Sequence, residues 1–193
     1  MRRIGITGGI GSGKSVVSRL LRIMGYSVYD TDSEAKRLME SSLEVVQKLS
    51  ECFGRDIYHN GRLNRGLLSS RVFGKSDKIV LLNSIVHPVV RFDFYRWSES
   101  LNEEICFVES AILYESRFDE LVDEVWTVTA PEELRISRVR QRSGLTEEEI
   151  KKRMAAQLSE EEEQRRAAHI IWNDGNVSVI HRSEERRVGN EVR

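Results

Sequence analysis

Residues 8–15 read Gly-Gly-Ile-Gly-Ser-Gly-Lys-Ser, a glycine-rich run closed by a lysine and a hydroxyl. Glycines at Gly8, Gly9, Gly11 and Gly13 permit backbone conformations that a β-carbon would block, so successive N–H groups can converge on an anion. Lys14 supplies a mobile charge that reaches the β- and γ-phosphates of a nucleotide, and the Ser15 hydroxyl is placed to ligate a bridging Mg²⁺. A glycine-rich turn with an accidental lysine is the competing reading, and the flanks argue against it. The strand-like Arg3-Ile4-Gly5-Ile6-Thr7 precedes the run, and Val16, Val17, Leu20 and Leu21 follow at helical spacing, so the loop links a strand to a helix whose positive end faces the anion.

Such a cradle serves kinases, GTPases and ATP-driven machines alike, and other groups must decide between them. No NKxD guanine-reading motif is present. Asp30-Thr31-Asp32 closes a second strand-like segment, where a carboxylate aimed at the γ-phosphate can orient an acceptor hydroxyl and take its proton. The same triplet also reads as a helix start, with Thr31 and Glu34 forming a capping box. Arg135, Arg138 and Arg142 fall at i, i+3 and i+7 on one helical face, suited to clamping phosphate oxygens or to an ordinary solvated basic surface. His87-Pro88 interrupts a helical pattern and predicts a kink. Trp97, Trp126 and Trp172 read as packing aromatics.

The elements that must position these groups alternate. Apolar, β-branched runs at Ile4 to Thr7, Ser27 to Asp30, Ile105 to Glu109, Val125 to Thr129 and His169 to Trp172 are separated by helical patterns, which predicts a five-stranded parallel sheet flanked by helices. Ligands then gather at the carboxyl ends of the strands. The interval from Asp30 to Ile105 is far longer than one crossover needs and carries helical patterns broken at Gly54, Gly61, Gly66, Gly74 and Pro88, so a helical subdomain is expected there. Pro131, Glu132 and Glu133 start a helix that Ser143-Gly144 ends. Thr146 and Glu149 then form a capping box, Leu145 and Ile150 its hydrophobic staple, and Ile150, Met154 and Leu158 one apolar face. Glu147, Glu148 and Glu149 each have a basic residue four positions on, which reads as a solvated helix face.

At 193 residues the chain suits one α/β domain with appendages, and 30 basic against 31 acidic residues exclude a global positive field. Any anion site is therefore local. Cys52 and Cys106 form no metal-like or disulfide-like pattern and read as core or near-core thiols in a reducing compartment. No apolar run is long enough to span a bilayer and no signal-like segment opens the chain, so a soluble cytoplasmic protein is expected. Residues 182–193 are highly charged and without apolar periodicity, an atypical tail.

Taken in order, Thr7 to Ser15, Asp30-Thr31-Asp32, His87-Pro88, Ile112-Leu113-Tyr114-Glu115, Arg138 to Arg142 and Asn173-Asp174-Gly175 resemble the dephospho-CoA kinase family over residues 1–176. The resemblance implies transfer of the ATP γ-phosphate to the ribose 3′-hydroxyl of dephospho-CoA, the last step of coenzyme A synthesis, with ATP as co-substrate and Mg²⁺ as metal. No nucleic acid, membrane or obligate protein partner is expected. It implies one phosphate-loop kinase domain at 1–181, with core segments at 1–32, 105–137 and 159–181, a CoA-binding helical insert at about 33–104 and a small lid at about 138–158. Carried over by position, Gly11, Ser12, Gly13, Lys14, Ser15 and Val16 hold ATP phosphates, and Ser15 also holds the metal. Asp32 is the base, Lys14, Arg138 and Arg142 assist transfer, and Asn173 sits near the adenine.

Three departures from the family pattern stand out. Val16 replaces the usual threonine, Ser110-Ala111-Ile112-Leu113 stands where many members have a proline before paired leucines, and no amphipathic helix is evident after Asn176. Glu109 is a further strand-end carboxylate that could hold metal-bound water. The alternatives are a phosphate-loop kinase for another small acceptor, such as a nucleoside monophosphate, and a non-enzymatic ATP-binding regulatory module.

Overall fold

The strand that enters the glycine-rich run, β1 (Arg2–Thr7), is the middle of a five-stranded sheet. The computed structural model describes residues 1–175; the charged tail at 182–193 and the segment after Asn176 lie outside the described residues. The other strands of this sheet are β2 (Ser27–Asp30), β5 (Ile105–Glu109), β6 (Glu124–Thr129) and β7 (His169–Trp172), in the order β2-β5-β1-β6-β7. β1 runs parallel to β5, with Ile4 opposite Phe107, and to β6, with Ile6 opposite Trp126. The chain order therefore reverses beside β1, the topological position where open α/β sheets collect ligands.

Two compact units make up the chain. Among the described residues, the first comprises Met1–Tyr29 and 102–175. It holds the sheet with α1 (Lys14–Ile23), α6 (Glu132–Ser143), α7 (Glu147–Ala155) and α8 (Glu160–Arg166). Ile4, Ile6, Leu21, Phe107 and Val128 form its core, joined by Val17, Val28, Ile105, Trp126 and Ile171. Of the four apolar residues expected to repeat along α1, Val17 and Leu21 pack inward while Val16 and Leu20 are exposed. A second cluster of Ile136, Val139 and Ile150, with Ile10, Leu145 and Met154 against it, ties α6 and α7 to the glycine-rich loop. The capping box at Thr146 and Glu149 is present. Leu158, expected to extend the α7 stripe, lies beyond the helix, which ends at Ala155; its backbone N–H instead donates to the Glu115 carboxylate at 2.9 Å.

The second unit, Asp30–Leu101, contains α2 (Thr31–Ser41), α3 (Leu43–Phe53), the short hairpin β3 (Tyr58–His59) and β4 (Arg62–Leu63), α4 (Arg65–Val72) and α5 (Ser76–Ser100). The hairpin carries no strand signal in the sequence beyond Asn60-Gly61, where both residues take positive φ. Val45, Leu49, Phe53, Ile57, Leu68, Val90 and Phe94 fill the interior.

Two expected breaks are absent. α5 is continuous through the exposed Pro88, because a 25-residue helix burying Ile85, Val86, Val90 and Phe94 outweighs the roughly 3 kcal/mol a central proline costs. Gly66 lies inside α4, in the first turn, where the Asn64 side chain caps Leu67 N–H at 3.0 Å. The expected capping box at Thr31 and Glu34 is also replaced. The cap is Asp30, whose Oδ1 accepts from the N–H of Asp32 and of Ser33, while Thr31 is buried as the first helical residue. Cys106 is buried as expected, with burial pushing its thiol up to about 11, but Cys52 is exposed because it falls on the outer face of α3.

Candidate active site

The loop leaves the carboxyl end of β1 and becomes α1 at Lys14. Gly13 is the N-cap with φ of 99°, and a β-carbon there would lie 1.9 Å from Asn173 Nδ2. Gly11 has φ of 80°, and a β-carbon would lie 2.5 Å from the Arg135 carbonyl oxygen. Both positions require glycine for conformation and for space.

Five consecutive carbonyls of this loop accept bonds from side chains. Lys14 Nζ donates to Gly8 O and, at 3.3 Å, to Gly9 O. Arg135 Nε donates to Ile10 O at 3.1 Å. Arg138 Nη1 donates to Gly11 O at 3.4 Å and Ser12 O at 3.5 Å, and Asn173 Nδ2 donates to Ser12 O at 2.9 Å. Gln157 joins from the other polarity, its Oε1 accepting from Ile10 N–H at 2.8 Å while its Nε2 donates to Ala111 O at 3.0 Å. The two polar groups of a trans peptide point in opposite directions, so binding the carbonyls of Ile10 and Ser12 on one side turns the N–H groups of Gly11 and Gly13 to the other. The result is a braced loop at the start of α1 whose Gly11 and Gly13 amides face away from the brace, an arrangement that can receive an anion.

Charge balance behind the loop is local. Arg135 is only 5% exposed and pairs with Glu160 at 2.6 Å. Glu163 is 2% exposed, its carboxyl oxygens accepting from Thr7 Oγ1 at 3.5 Å and Thr127 Oγ1 at 3.4 Å. Burial pushes this carboxyl up to about 7, reinforced by Glu115 and opposed by Lys14, the Thr127 hydroxyl and Arg135. Its neighbour Glu162 is held down to about 2 by hydrogen bonds from Arg165 and Arg166.

The first unit thus brings together Gly11, Ser12, Gly13, Lys14, Arg138 and Asn173. Ser15 and Val16 are exposed in the first turn of α1, and Arg142 is exposed near the end of α6, outside the bonds that brace the loop. Of the three arginines expected to share one face, Arg135 and Arg138 are bonded to loop carbonyls. Asp32 belongs to the second unit, exposed in the first turn of α2 with its carboxylate outside the cap that Asp30 makes. Ser110 is buried after β5, and its hydroxyl accepts from Ile112 N–H at 3.3 Å, closing the turn.

Sequence reasoning missed Gln157, Glu160 and Glu163. A signal for Glu163 was present: with Ser159 as N-cap of α8, residue 163 is the fourth helical position, which ordinarily turns an apolar side chain inward. Among the described residues no group of three or more His, Cys, Asp or Glu side chains is placed to hold a metal ion, and no helix is long and apolar enough to cross a membrane.

A sequence model described as dephospho-CoA kinase matches residues 2–178. The dephospho-CoA kinase of Porphyromonas gingivalis is 46% identical over 90% of this chain and 86% of its own length, and that of Bacteroides fragilis is 41% identical over 92% and 87%. Among solved structures, a Thermus thermophilus protein superposes with a TM-score of 0.80 at 35% identity, covering 100% of this chain and 98% of its own. The Campylobacter jejuni dephospho-CoA kinase shares the fold with a TM-score of 0.69 at 24% identity, covering 92% and 90%. A family match over nearly all of the chain, and relatives this similar across nine-tenths of it, mean that the chain belongs to the dephospho-CoA kinase family.

Proposed function

We propose that this protein transfers the γ-phosphate of ATP to the ribose 3′-hydroxyl of dephospho-CoA, giving coenzyme A. The observation that carries the phosphate half is the loop at the end of β1, whose carbonyls are bonded from behind so that its amides are set for an anion before one arrives. Preorganised donors of this kind stabilise charge without reorganising during the reaction. The acceptor follows from family membership.

In this reading Gly11 to Val16 hold the β- and γ-phosphates. Lys14 leaves the Gly8 and Gly9 carbonyls and turns to the phosphate oxygens. Asp32 accepts the proton of the attacking hydroxyl, a role supported by its exposed carboxylate and by Asp30 having taken over the cap. Arg138 anchors the loop and, with the exposed Arg142, borders the transferring group from a lid at about 138–158. Asn173 links the loop to the segment after β7, on the side assigned to the adenine. The helical insert at about 33–104 is the acceptor-binding region of a single kinase domain.

One exposed hydroxyl at Ser15 is the donor set expected for Mg²⁺ that enters with ATP and takes its other ligands from phosphate and water. Bound there, the metal would neutralise charge developing on the phosphates. A cytoplasmic setting suits a reaction that draws on ATP.

The test is ADP release from ATP and Mg²⁺ with dephospho-CoA, beside AMP, CMP and shikimate as competing acceptors, the product being weighed for one added phosphate. Turnover yielding coenzyme A is the expected result. Turnover with another acceptor alone would reassign the substrate, and ATP binding without transfer to any acceptor would favour a regulatory module.

A further inference from the structure

Gln157 makes two hydrogen bonds that phosphate binding by itself does not require. It stands half-buried in the short connection between α7 and α8, where the backbone is already fixed. Its own N–H donates to the Met154 carbonyl at 3.2 Å, and the next N–H, that of Leu158, reaches the Glu115 carboxylate at 2.9 Å. From there the carboxamide bonds to two strand-end segments at once. Its Oε1 accepts from Ile10 N–H in the loop after β1 at 2.8 Å, and its Nε2 donates to the Ala111 carbonyl in the turn after β5 at 3.0 Å. The partners fix its orientation, since an N–H needs the oxygen and a carbonyl needs the nitrogen.

The Ala111 end is a firm post. Ser110 N–H donates to the Ile6 carbonyl of β1 at 3.0 Å, and the Ser110 hydroxyl accepts from Ile112 N–H, so the turn is held on both sides of Ala111. At the other end Ile10 is held in three ways. Its side chain packs on the cluster of Ile136, Val139 and Ile150, its carbonyl accepts from Arg135, and its N–H is bonded to Gln157. The two peptides that flank Ile10 therefore have different holders. Arg135 fixes the 10–11 peptide and turns the Gly11 amide outward. Gln157 fixes the 9–10 peptide and turns the Gly9 carbonyl the opposite way, where Lys14 Nζ donates to it at 3.3 Å. Arginine and lysine carry no acceptor, so no cation of the brace can replace Gln157 at the Ile10 N–H.

We infer that Gln157 is a positioning residue for nucleotide binding: it sets the Gly9–Ile10 peptide of the phosphate loop and ties that loop to the turn after β5. It touches no reacting atom, and the inference rests on the reading of residues 8–15 as a nucleotide-phosphate cradle. The chemistry of the carboxamide says which replacements this place accepts. Glutamate keeps the size and the acceptor, but when ionised it has no donor for the Ala111 carbonyl and sets a negative charge beside a loop that must receive phosphates. Protonated, its carboxyl is again an acceptor and a donor together. Methionine keeps the reach and supplies neither group.

The experiment is calorimetric titration of a non-hydrolysable ATP analogue with excess Mg²⁺ into the full chain, from pH 5 to pH 8, for wild type, Gln157→Met and Gln157→Glu. The charged groups of the surrounding elements are Arg135 on α6, Glu160 and Glu163 on α8, Glu115 after β5 and Lys14 on α1. All are common to the three proteins, as is the nucleotide, so the ratio of affinities at each pH isolates the replaced side chain. Gln157→Met is expected to bind about tenfold more weakly than wild type across the range. Gln157→Glu should bind about thirtyfold more weakly at pH 8, and that gap should narrow about threefold or more by pH 5, because the protonated form is the one that binds well.

A merely structural role for Gln157 would lower the unfolding midpoint of both variants and leave the folded proteins with wild-type affinity. That result, or a deficit in Gln157→Glu that does not change with pH, would overturn the inference while leaving the phosphate cradle intact. Should the variants fail to fold, hydrogen exchange of the Ile10 amide in nucleotide-free wild type decides: protection upholds the tie and free exchange removes it. Failure of wild type to bind the analogue would instead overturn the cradle reading, and this inference with it.

Discussion

In the first unit five successive loop carbonyls are held by Lys14, Arg135, Arg138 and Asn173, with Arg135 almost wholly buried. The second unit distributes its polar groups the other way. Its interior is Val45, Leu49, Phe53, Ile57, Val90 and Phe94, and its ion pairs, such as Arg37 with Asp93 at 2.7 Å and Arg65 with Glu40 at 3.2 Å, lie on the exterior. Apolar burial is non-directional, whereas an anion cradle must hold its amides in one arrangement. The difference teaches where a buried charge is retained: behind a segment whose backbone geometry is the functional element.

The largest effect should come from removing the cation that faces both ways. Lys14→Ala is expected to lower kcat by about 10³-fold or more, the scale of a lost charge clamp in phosphoryl transfer, while thermal unfolding shows a folded protein. Activity close to wild type would break the assignment of the loop. Next is Asp32→Asn in the second unit, expected to lower kcat by about 10²-fold with ATP binding retained. Unchanged turnover would remove Asp32 from proton transfer and leave the second unit with substrate binding alone.

Arg135→Ala tests the brace itself. The change leaves the Ile10 carbonyl without its charged donor and Glu160 without its partner, a cost of about 2–3 kcal/mol in stability. Nucleotide affinity should fall with it, because the loop loses one of the bonds that set its amides. Denaturant unfolding and nucleotide titration on the same preparation would separate the two effects. Loss of stability with full affinity would mean that the cradle is held well enough by Arg138, Asn173 and Gln157.

Much of this was legible in the sequence, for identifiable reasons. The loop is contiguous, so its glycines, lysine and serine announce themselves at fixed offsets, and buried parallel strands such as Ile105 to Val108 read as uninterrupted apolar runs. The brace is harder to read because it is made of tertiary contacts. Arg135 and Arg138 are evident as a helical face, but nothing in their spacing says that they point to backbone carbonyls and not to phosphate. Gln157 and Glu160 sit in a polar segment where no periodicity separates the inward side chain from its neighbours. Adjacent Glu162 and Glu163 show the limit: one is half-buried and paired with two arginines, the other is buried against two threonines, and only the cap at Ser159 distinguishes them. The expected break at Pro88 fails for the opposite reason, a strong local signal overridden by the buried face of a long helix.

The smallest effect sharpens the contrast most directly. Arg37 on α2 makes two ion pairs, with Glu34 one turn earlier and with Asp93 on α5, so by a count of contacts it matches Arg135. Its side chain is 51% exposed, however, against 6% for Arg135. Water already solvates the Arg37 guanidinium and both carboxylates, so their pairing replaces one good environment with another, and salt screens what remains. Arg37→Ala is therefore expected to cost less than about 1 kcal/mol, to matter less still at high ionic strength, and to leave nucleotide affinity unchanged. Chemical denaturation at low and high salt measures both arms. A loss equal to that of Arg135→Ala, insensitive to salt, would show that charge pairs in the second unit hold its geometry as firmly as the buried brace holds the loop, and would remove burial as the distinction between them.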